Sequence, residues 1–441
     1  MNVEEKDPAQ AQPVIRLSQC MIVKNEEKNI ARALGWGKNV AFEQIVVDTG
    51  STDKTVEIAE GMGAKVFQFK WIDDFAAAKN HAIEQATGNW IAFLDADEYF
   101  SPVDAKKLIV FLKRIETNPE HRERYLALDS SIVNLDDDGK PASVFSQQRV
   151  FRNLPSVRYS GRIHEQLSIS AESVVRVDEI RIVHTGYTET AKKESNKAKR
   201  NTEMLREELA RKPDDLLIKL YLADALKLDE DNYAEAEEIF TEIINSPGAE
   251  NLGGLKQRAY VHMINKYISA PDRERLSGIE EMCLKALDDC PGDLDLEYFY
   301  ASVLNYKGDF RAALEMLSGC EAKLTDAAGT NGSVYIAADP TLLFGQMLIA
   351  AQGLGDIDSV IKYAGLILSA DKFRSGVFGP YIATLLQRCA SGDEVVGVLA
   401  RTYDLDDRKD LLHIARAAKD CGAVDFSRRI IGMAERLISR F

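Results

Sequence analysis

No two cysteines of this chain stand in a CxxC pair, and the six present (Cys20, Cys283, Cys290, Cys320, Cys389 and Cys421) are scattered over 441 residues. That spacing argues against a zinc cluster or a disulfide framework and fits reduced thiols in a cytoplasmic protein. No apolar run approaches the ~20 residues of a membrane helix. The polar lead MNVEEKDPAQAQP holds no segment that reads as a signal peptide. Neither a GxGxxG nor a P-loop sequence occurs, which disfavours dinucleotide enzymes and kinases. Basic residues are outnumbered, 55 Lys and Arg against 70 Asp and Glu. The formal net charge is -15 and the sequence pI about 5.1, so the chain repels nucleic-acid phosphates and no nucleic-acid partner is expected. A single phosphate held by a metal or a local cation stays compatible with that charge.

Hydrophobic residues make up 45% of the chain, enough for a core in each half. Residues 1–14 read as a disordered lead. From 15 to 190 the pattern is α/β. VIRLSQCMIV, EQIVVD, AKVFQF and NWIAFLDAD read as strands, and EEKNIARALGW, KTVEIAEGM and DDFAAAKNHAIEQAT as helices. Asn25 is placed as an N-cap and Gly88 as a C-cap. Such alternation implies a largely parallel sheet, whose ligands bind at the carboxyl ends of the strands. Beyond one helix the stretch to 190 is β-rich, with DDDGK at 136–140 as a hairpin turn. Residues 191–212 read as a charged linking helix. Residues 213–441 read as helical pairs with small residues such as Ala301 and Ala313 where helices meet, and Gly-Asp turns between them. This last region resembles tetratricopeptide repeats, whose period is roughly 34 residues, in degenerate form.

The polar clusters sit where the strands end. In WIAFLDADEYF, Asp95 and Asp97 follow an apolar strand, and two carboxylates flanking one residue suit a divalent cation with oxygen ligands, Mn²⁺ or Mg²⁺. DED at 229–231, DLD at 293–295 and DID at 356–358 have the same spacing but fall in helical turns, where they read as solvated surface. VVDTGSTDKT puts Asp48 at a strand end; it serves either as a hydrogen-bond acceptor for a base or as ordinary turn chemistry. The first strand runs from Val23 into Lys24, Asn25 and Glu26 at the same edge. Lys79, on the helix FAAAKN, either meets a phosphate or faces solvent.

Together MIVKNEE, VVDTGSTDKT, DFAAAKN and GNWIAFLDADE resemble the family 2 glycosyltransferases. The resemblance covers roughly residues 16–190 and implies a GT-A fold, a Rossmann-like mixed sheet that binds a nucleotide sugar, followed here by an all-α tetratricopeptide-like domain. It implies a nucleotide-sugar donor, commonly a UDP-sugar, and inversion at the anomeric carbon. It places Val23, Glu26, Asp48, Lys79, Asp95 and Arg152 on the donor side and Asp97, with His184 as a further ligand, on the metal. RVFRNLPSVRYSGRIHEQL and IVHTGY resemble a subgroup that carries such repeats and includes enzymes acting on peptides or proteins. Arg149 and Arg152 are then placed on phosphate, acceptor or neighbouring carboxylates. An inverting transfer needs a base for the acceptor's proton. Glu165 is assigned that role, with His164 beside it. The acceptor is expected to be a peptide, protein or glycan, and the repeats to present it or to form a homodimer. Two other readings stay open: a nucleotidyltransferase, and an inactive scaffold in which the repeats do the work.

Overall fold

The computed structural model describes residues 14–185, 197–249, 254–269, 276–325, 335–374 and 376–438. The expected lead, apart from Val14, and residues 186–196 at the head of the expected linking helix lie outside the described residues. The chain divides into two compact units, Met1–Asp229 and Glu230–Phe441.

The first unit is built on one eight-stranded sheet. Its parallel half is made of β1 (Leu17–Val23), β2 (Glu43–Asp48), β3 (Lys65–Gln68) and β4 (Trp90–Phe93). The other half is β5 (Glu98–Phe100), β6 (Ala127–Leu135), β7 (Pro141–Arg152) and β10 (Val174–His184), in the overall order β3-β2-β1-β4-β7-β6-β10-β5. β7 runs antiparallel to β4 and to β6, which makes the sheet mixed. A separate short ribbon pairs β8 (Tyr159–Ser160) with β9 (Gln166–Leu167).

Two-residue periodicity sends alternate side chains to opposite faces. Met21, Val23 and Val46 pack beneath α1 (Ile30–Gly35) and α2 (Thr55–Gly61). Cys20, Ile45, Val47, Ile91 and Phe93 pack beneath α3 (Phe75–Glu84). Trp90 and Ala92 join a third cluster under α4 (Pro102–Thr117). The helix α5 (Pro119–Arg124) follows directly. The Asp136–Lys140 turn forms as expected, with Gly139 at φ +76°.

Two of the expected caps do different work. Gly88 is not a left-handed cap, since α3 ends at Glu84. A Cβ at Gly88 would lie 2.3 Å from the Arg16 carbonyl oxygen and 2.5 Å from Ser18 Oγ, so glycine is required by close backbone approach. Asn25 does not start α1. It sits at φ +57°, takes the Thr52 N–H on its Oδ1 at 2.8 Å and gives its own N–H to Ser51 Oγ at 2.9 Å.

The expected start of the repeats at 213 falls inside the first unit. There α6 (Lys197–Arg211) and α7 (Leu216–Leu226) are tied to the β8–β9 region: Gln166 Nε2 donates to Tyr221 Oη at 3.2 Å, and Arg162 pairs with Glu207 at 3.6 Å. Their contacts are those of a wall of the first unit and not of a free linker.

The second unit is all helical. In the pairs Leu294–Lys307 with Phe310–Thr325, and Pro340–Leu354 with Ile357–Ala370, a left-handed glycine, Gly308 or Gly355, ends the first helix. Ala301 and Ala313 are fully buried, as close helix approach requires. Of the acidic triplets expected at the surface, Asp293 and Asp356 cap helices, while Asp295 is buried and accepts the Tyr335 and Ile336 N–H groups. No helix among the described residues is long and apolar enough to cross a membrane.

Glu43 anchors the edge of the parallel half opposite the strand ends. Burial alone would raise its pKa. Hydrogen bonds from Lys65, the Thr87 N–H and hydroxyl, and Ser18 override that and hold it at about 2. The stability this contributes is fully present above the ordinary value of 4.5 and is lost as pH falls toward 2. Glu43→Gln is expected to destabilise the first unit by about 2 kcal/mol at neutral pH, allowing for the half-exposed Lys65. Urea unfolding should show that deficit narrowing below pH 4.5.

Candidate active site

The parallel strands deliver their carboxyl ends to one edge, and a cavity of about 770 Å³ opens there. β1 and β2 end in register, Val23 opposite Asp48, and β4 ends at Phe93, opposite Cys20. The chain then turns through Asp95, Ala96 and Asp97 into β5, which places both aspartates on the cavity wall. Val23, Glu26, Lys79, Glu165, His164 and His184 line the same cavity. Val23 and His184, far apart in the sequence, are thus brought to one wall.

At its centre lies a row of alternating charges. Arg149 Nη2 is 2.6 Å from Asp95 Oδ2 and 2.6 Å from Glu98 Oε1. Lys79 Nζ is 3.9 Å from Asp95 Oδ1 and 2.6 Å from Glu165 Oε1. Burial opposes the charge of Asp95, but Arg149 and Lys79 overcome it and hold the carboxyl well below the usual range. Burial pushes Glu98 upward against the pull of Arg149. Lys79 is buried, yet Asp95, Tyr159 and Glu165 keep its pKa above the ordinary lysine value. Burial raises the Tyr159 phenol to about 12, so it stays a neutral hydroxyl at physiological pH.

A second pair faces the cavity beside this row. His184 Nε2 lies 3.4 Å from Asp97 Oδ2, and its Nδ1 is 2.6 Å from Asn134 Oδ1. With Nδ1–H donated to Asn134, a neutral His184 carries its lone pair on Nε2, on the Asp97 side; burial disfavours the charged ring, but hydrogen bonding to Asp97 overrides that and raises its pKa. This tautomer is the one a metal-bound imidazole needs.

Two expected donor-side residues lie elsewhere. Arg152 is bound to Glu116 at 2.6 Å and to the Tyr125 carbonyl, with its guanidinium over Trp90. Arg149 is the extra residue of a bulge in β7, between Gln148 opposite Asp129 and Val150 opposite Leu128, and of the two arginines only Arg149 lines the cavity. Asp48 is 2% exposed and accepts the Gly50 and Ser51 N–H groups. It shapes its own turn, and the neighbouring Thr49 takes the place on the cavity wall.

Several lining residues carried no usable signal in the sequence. Glu98, buried behind the wall against Arg149, extends the DAD triplet by one residue. Tyr159 lies in the RYSGRIHEQ stretch. Trp71 and Phe75 form an edge-to-face pair at 4.8 Å, and Arg200 sits over Phe75. Tyr221 stacks on His164 with centroids 4.1 Å apart. His164 itself is at φ +52°. That left-handed kink is uncommon for a non-glycine residue; here it turns the adjacent Glu165 toward Lys79.

Residues 18–119 match the family model "Glycosyl transferase family 2". Over 150 residues the chain is 35% identical to a TPR repeat-containing protein of Synechococcus elongatus, a match covering 34% of this chain and 35% of that one. Over 201 residues it is 28% identical to the SPbeta prophage-derived glycosyltransferase SunS of Bacillus subtilis, covering 44% and 45%. The matched stretches therefore span less than half the length of these two relatives. Among solved structures, S. aureus TarS 1-349 in complex with UDP-GlcNAc aligns at TM-score 0.34 and 14% identity, over 81% of this chain and 92% of that one. A superposition that loose locates no ligand in this chain.

The mixed sheet of the first unit, with carboxylates gathered at its strand ends, is of GT-A type. Residues 18–119 carry the family 2 glycosyltransferase domain, and the described residues of the second unit are helical.

Removing Arg149 leaves Asp95 and Glu98 facing one another without their shared cation. Arg149→Ala is expected to cost the first unit about 3–5 kcal/mol. Adding Glu98→Gln should recover part of that loss, because one buried charge goes with it. Urea unfolding of the three proteins checks both statements.

Proposed function

We propose that this family 2 glycosyltransferase moves a sugar, with inversion, from a UDP-sugar to a peptide or protein side chain, and that it does so with a divalent metal. The observation that carries this reading is the placement of two different pairs on one cavity wall, Asp97 with His184 and Glu165 with Lys79. The first suits a cation and the second suits proton transfer.

The fit to a metal rests on the donor set. A carboxylate and an imidazole of the tautomer described above suit Mn²⁺, and Mg²⁺ less closely. No group of three His, Cys, Asp or Glu side chains that could hold a metal occurs among the described residues. An ion held by Asp97 and His184 would be bound by few protein groups, with phosphates and water completing its shell. Asp97 and His184 are the residues that would hold it, and the ion would neutralise charge growing on the leaving diphosphate. Val23, Thr49 and Glu26 border the nucleotide side.

On the acceptor side, Glu165 takes the proton of the attacking group. The acceptor atom bonds to the anomeric carbon while the bond to the diphosphate oxygen breaks, and the electron pair leaves with UDP. Lys79 fixes the Glu165 carboxylate at 2.6 Å, and His164, held flat against Tyr221, fixes the backbone that carries it. The helical repeats suit an extended peptide acceptor, since such arrays form long concave surfaces.

Incubating the full chain with a panel of UDP-sugars and Mn²⁺, and measuring free UDP, tests the reading. Asp97→Asn is expected to lower turnover by about a hundredfold or more with an unchanged melting temperature; ordinary turnover in that variant removes Asp97 from the site. Glu165→Gln is expected to keep UDP affinity and lose turnover by about 10²- to 10⁴-fold. If transfer persists at the normal rate, another group is the base.

A further inference from the structure

Tyr159 opens β8, and its surroundings hold it rigidly. Its N–H donates to Asn80 Oδ1 at 2.9 Å, and its carbonyl accepts Asn80 Nδ2 at 2.9 Å. The ring is wedged edge-on against Phe93 and Phe151, at centroid separations of 5.5 and 5.7 Å. Lys79 Nζ stands 5.0 Å from the ring centre. The residue is 7% exposed and lines the cavity, yet its hydroxyl has no hydrogen-bond partner among the described residues.

A buried phenol usually finds a partner, and leaving one unmatched is costly. Phenylalanine would fill the same space and make the same ring contacts without that cost. The oxygen is therefore not explained by packing. It is placed for something that enters the cavity.

The neighbouring charges decide what that is. Lys79 and Arg149 are the cations nearest the ring, and both are already engaged by carboxylates, Lys79 by Glu165 and Arg149 by Asp95 and Glu98. A diphosphate meets no surplus of positive charge there and would be repelled by Asp95 and Glu165. A sugar hydroxyl fits without that conflict: it accepts a hydrogen bond from Tyr159 and donates its own proton to a carboxylate.

We infer that Tyr159 is a sugar-binding residue, its hydroxyl donating to a hydroxyl of the transferred hexose in a neutral subsite shared with Asp95 and Glu165. This rests on the reading that the chain uses a UDP-sugar, and it adds the residue that distinguishes the sugar from the nucleotide. It assigns the floor of the cavity to the hexose and the Asp97–His184 side to the diphosphate.

The test is Tyr159→Phe in the full chain, with calorimetry in Mn²⁺ against UDP and against UDP-glucose, UDP-galactose and UDP-N-acetylglucosamine. UDP affinity should stay within about twofold of the unaltered protein. The UDP-sugar that binds best should weaken about three- to tenfold, the loss of one neutral hydrogen bond. Equal weakening of UDP and the UDP-sugar would place the hydroxyl on the diphosphate and overturn the inference, as would an unchanged affinity for every UDP-sugar. Failure of the unaltered protein to bind UDP at all is a separate result, which removes the UDP-sugar reading itself and the inference with it.

Discussion

The arrangement of the first unit depends on one guanidinium. Arg149 reaches from the antiparallel half of the sheet to two carboxylates, Asp95 in the turn after β4 and Glu98 at the start of β5. Three charged groups are taken largely out of water there, and such groups are tolerated only when each has a close partner. The same contact fastens the seam where parallel strands give way to antiparallel ones, since β4 and β7 are neighbours across it. The direction of Asp95 is thereby set, and with it the position of Lys79 and of Glu165 beyond. The row of charges is at once a fastening of the fold and the floor of the cavity.

That double role explains why the carboxylates after β4 are not equivalent. Asp95 is spent on two cations. Asp97, two residues beyond it on the chain, has His184 as its one ion-pair partner among the described residues, and so less of its charge is committed. Two acidic residues separated by a single alanine thus differ in how far the fold commits them, and the difference is made by what lies across the sheet and not by the triplet itself.

The order of strands and helices was legible in the sequence because burial on both faces of a parallel sheet leaves continuous apolar runs such as QIVVD and WIAFLD. The strand-end position of Asp95 and Asp97 followed from that pattern. Side-chain partnership was not legible. Arg149 and Arg152 look alike in RVFR, and only their places on β7, one at a bulge and one beyond it, separate the one at the cavity from the one beneath Trp90. Asn25 and Gly88 match helix-cap patterns, but their roles come from backbone that arrives from other strands. Tyr221 had no local mark at all, because its position on the cavity wall depends on where α7 folds back, more than fifty residues after the ring it stacks on.

The loops after β1 and β2 are laced to one another. Besides the two bonds of Asn25, Glu27 N–H reaches Asp53, Lys54 N–H reaches Glu27, and Glu26 N–H reaches Thr55 Oγ1 at 2.7 Å. Most of the polar backbone that could otherwise wander is already committed before any ligand arrives. The rim carrying Val23, Glu26 and Thr49 is therefore preorganised: a molecule settling against it gives up its own freedom but asks little ordering of the protein in return. Recognition on that side resembles a fixed jaw, so differences in affinity between ligands there should report contact chemistry directly, uncoloured by the cost of arranging the loop.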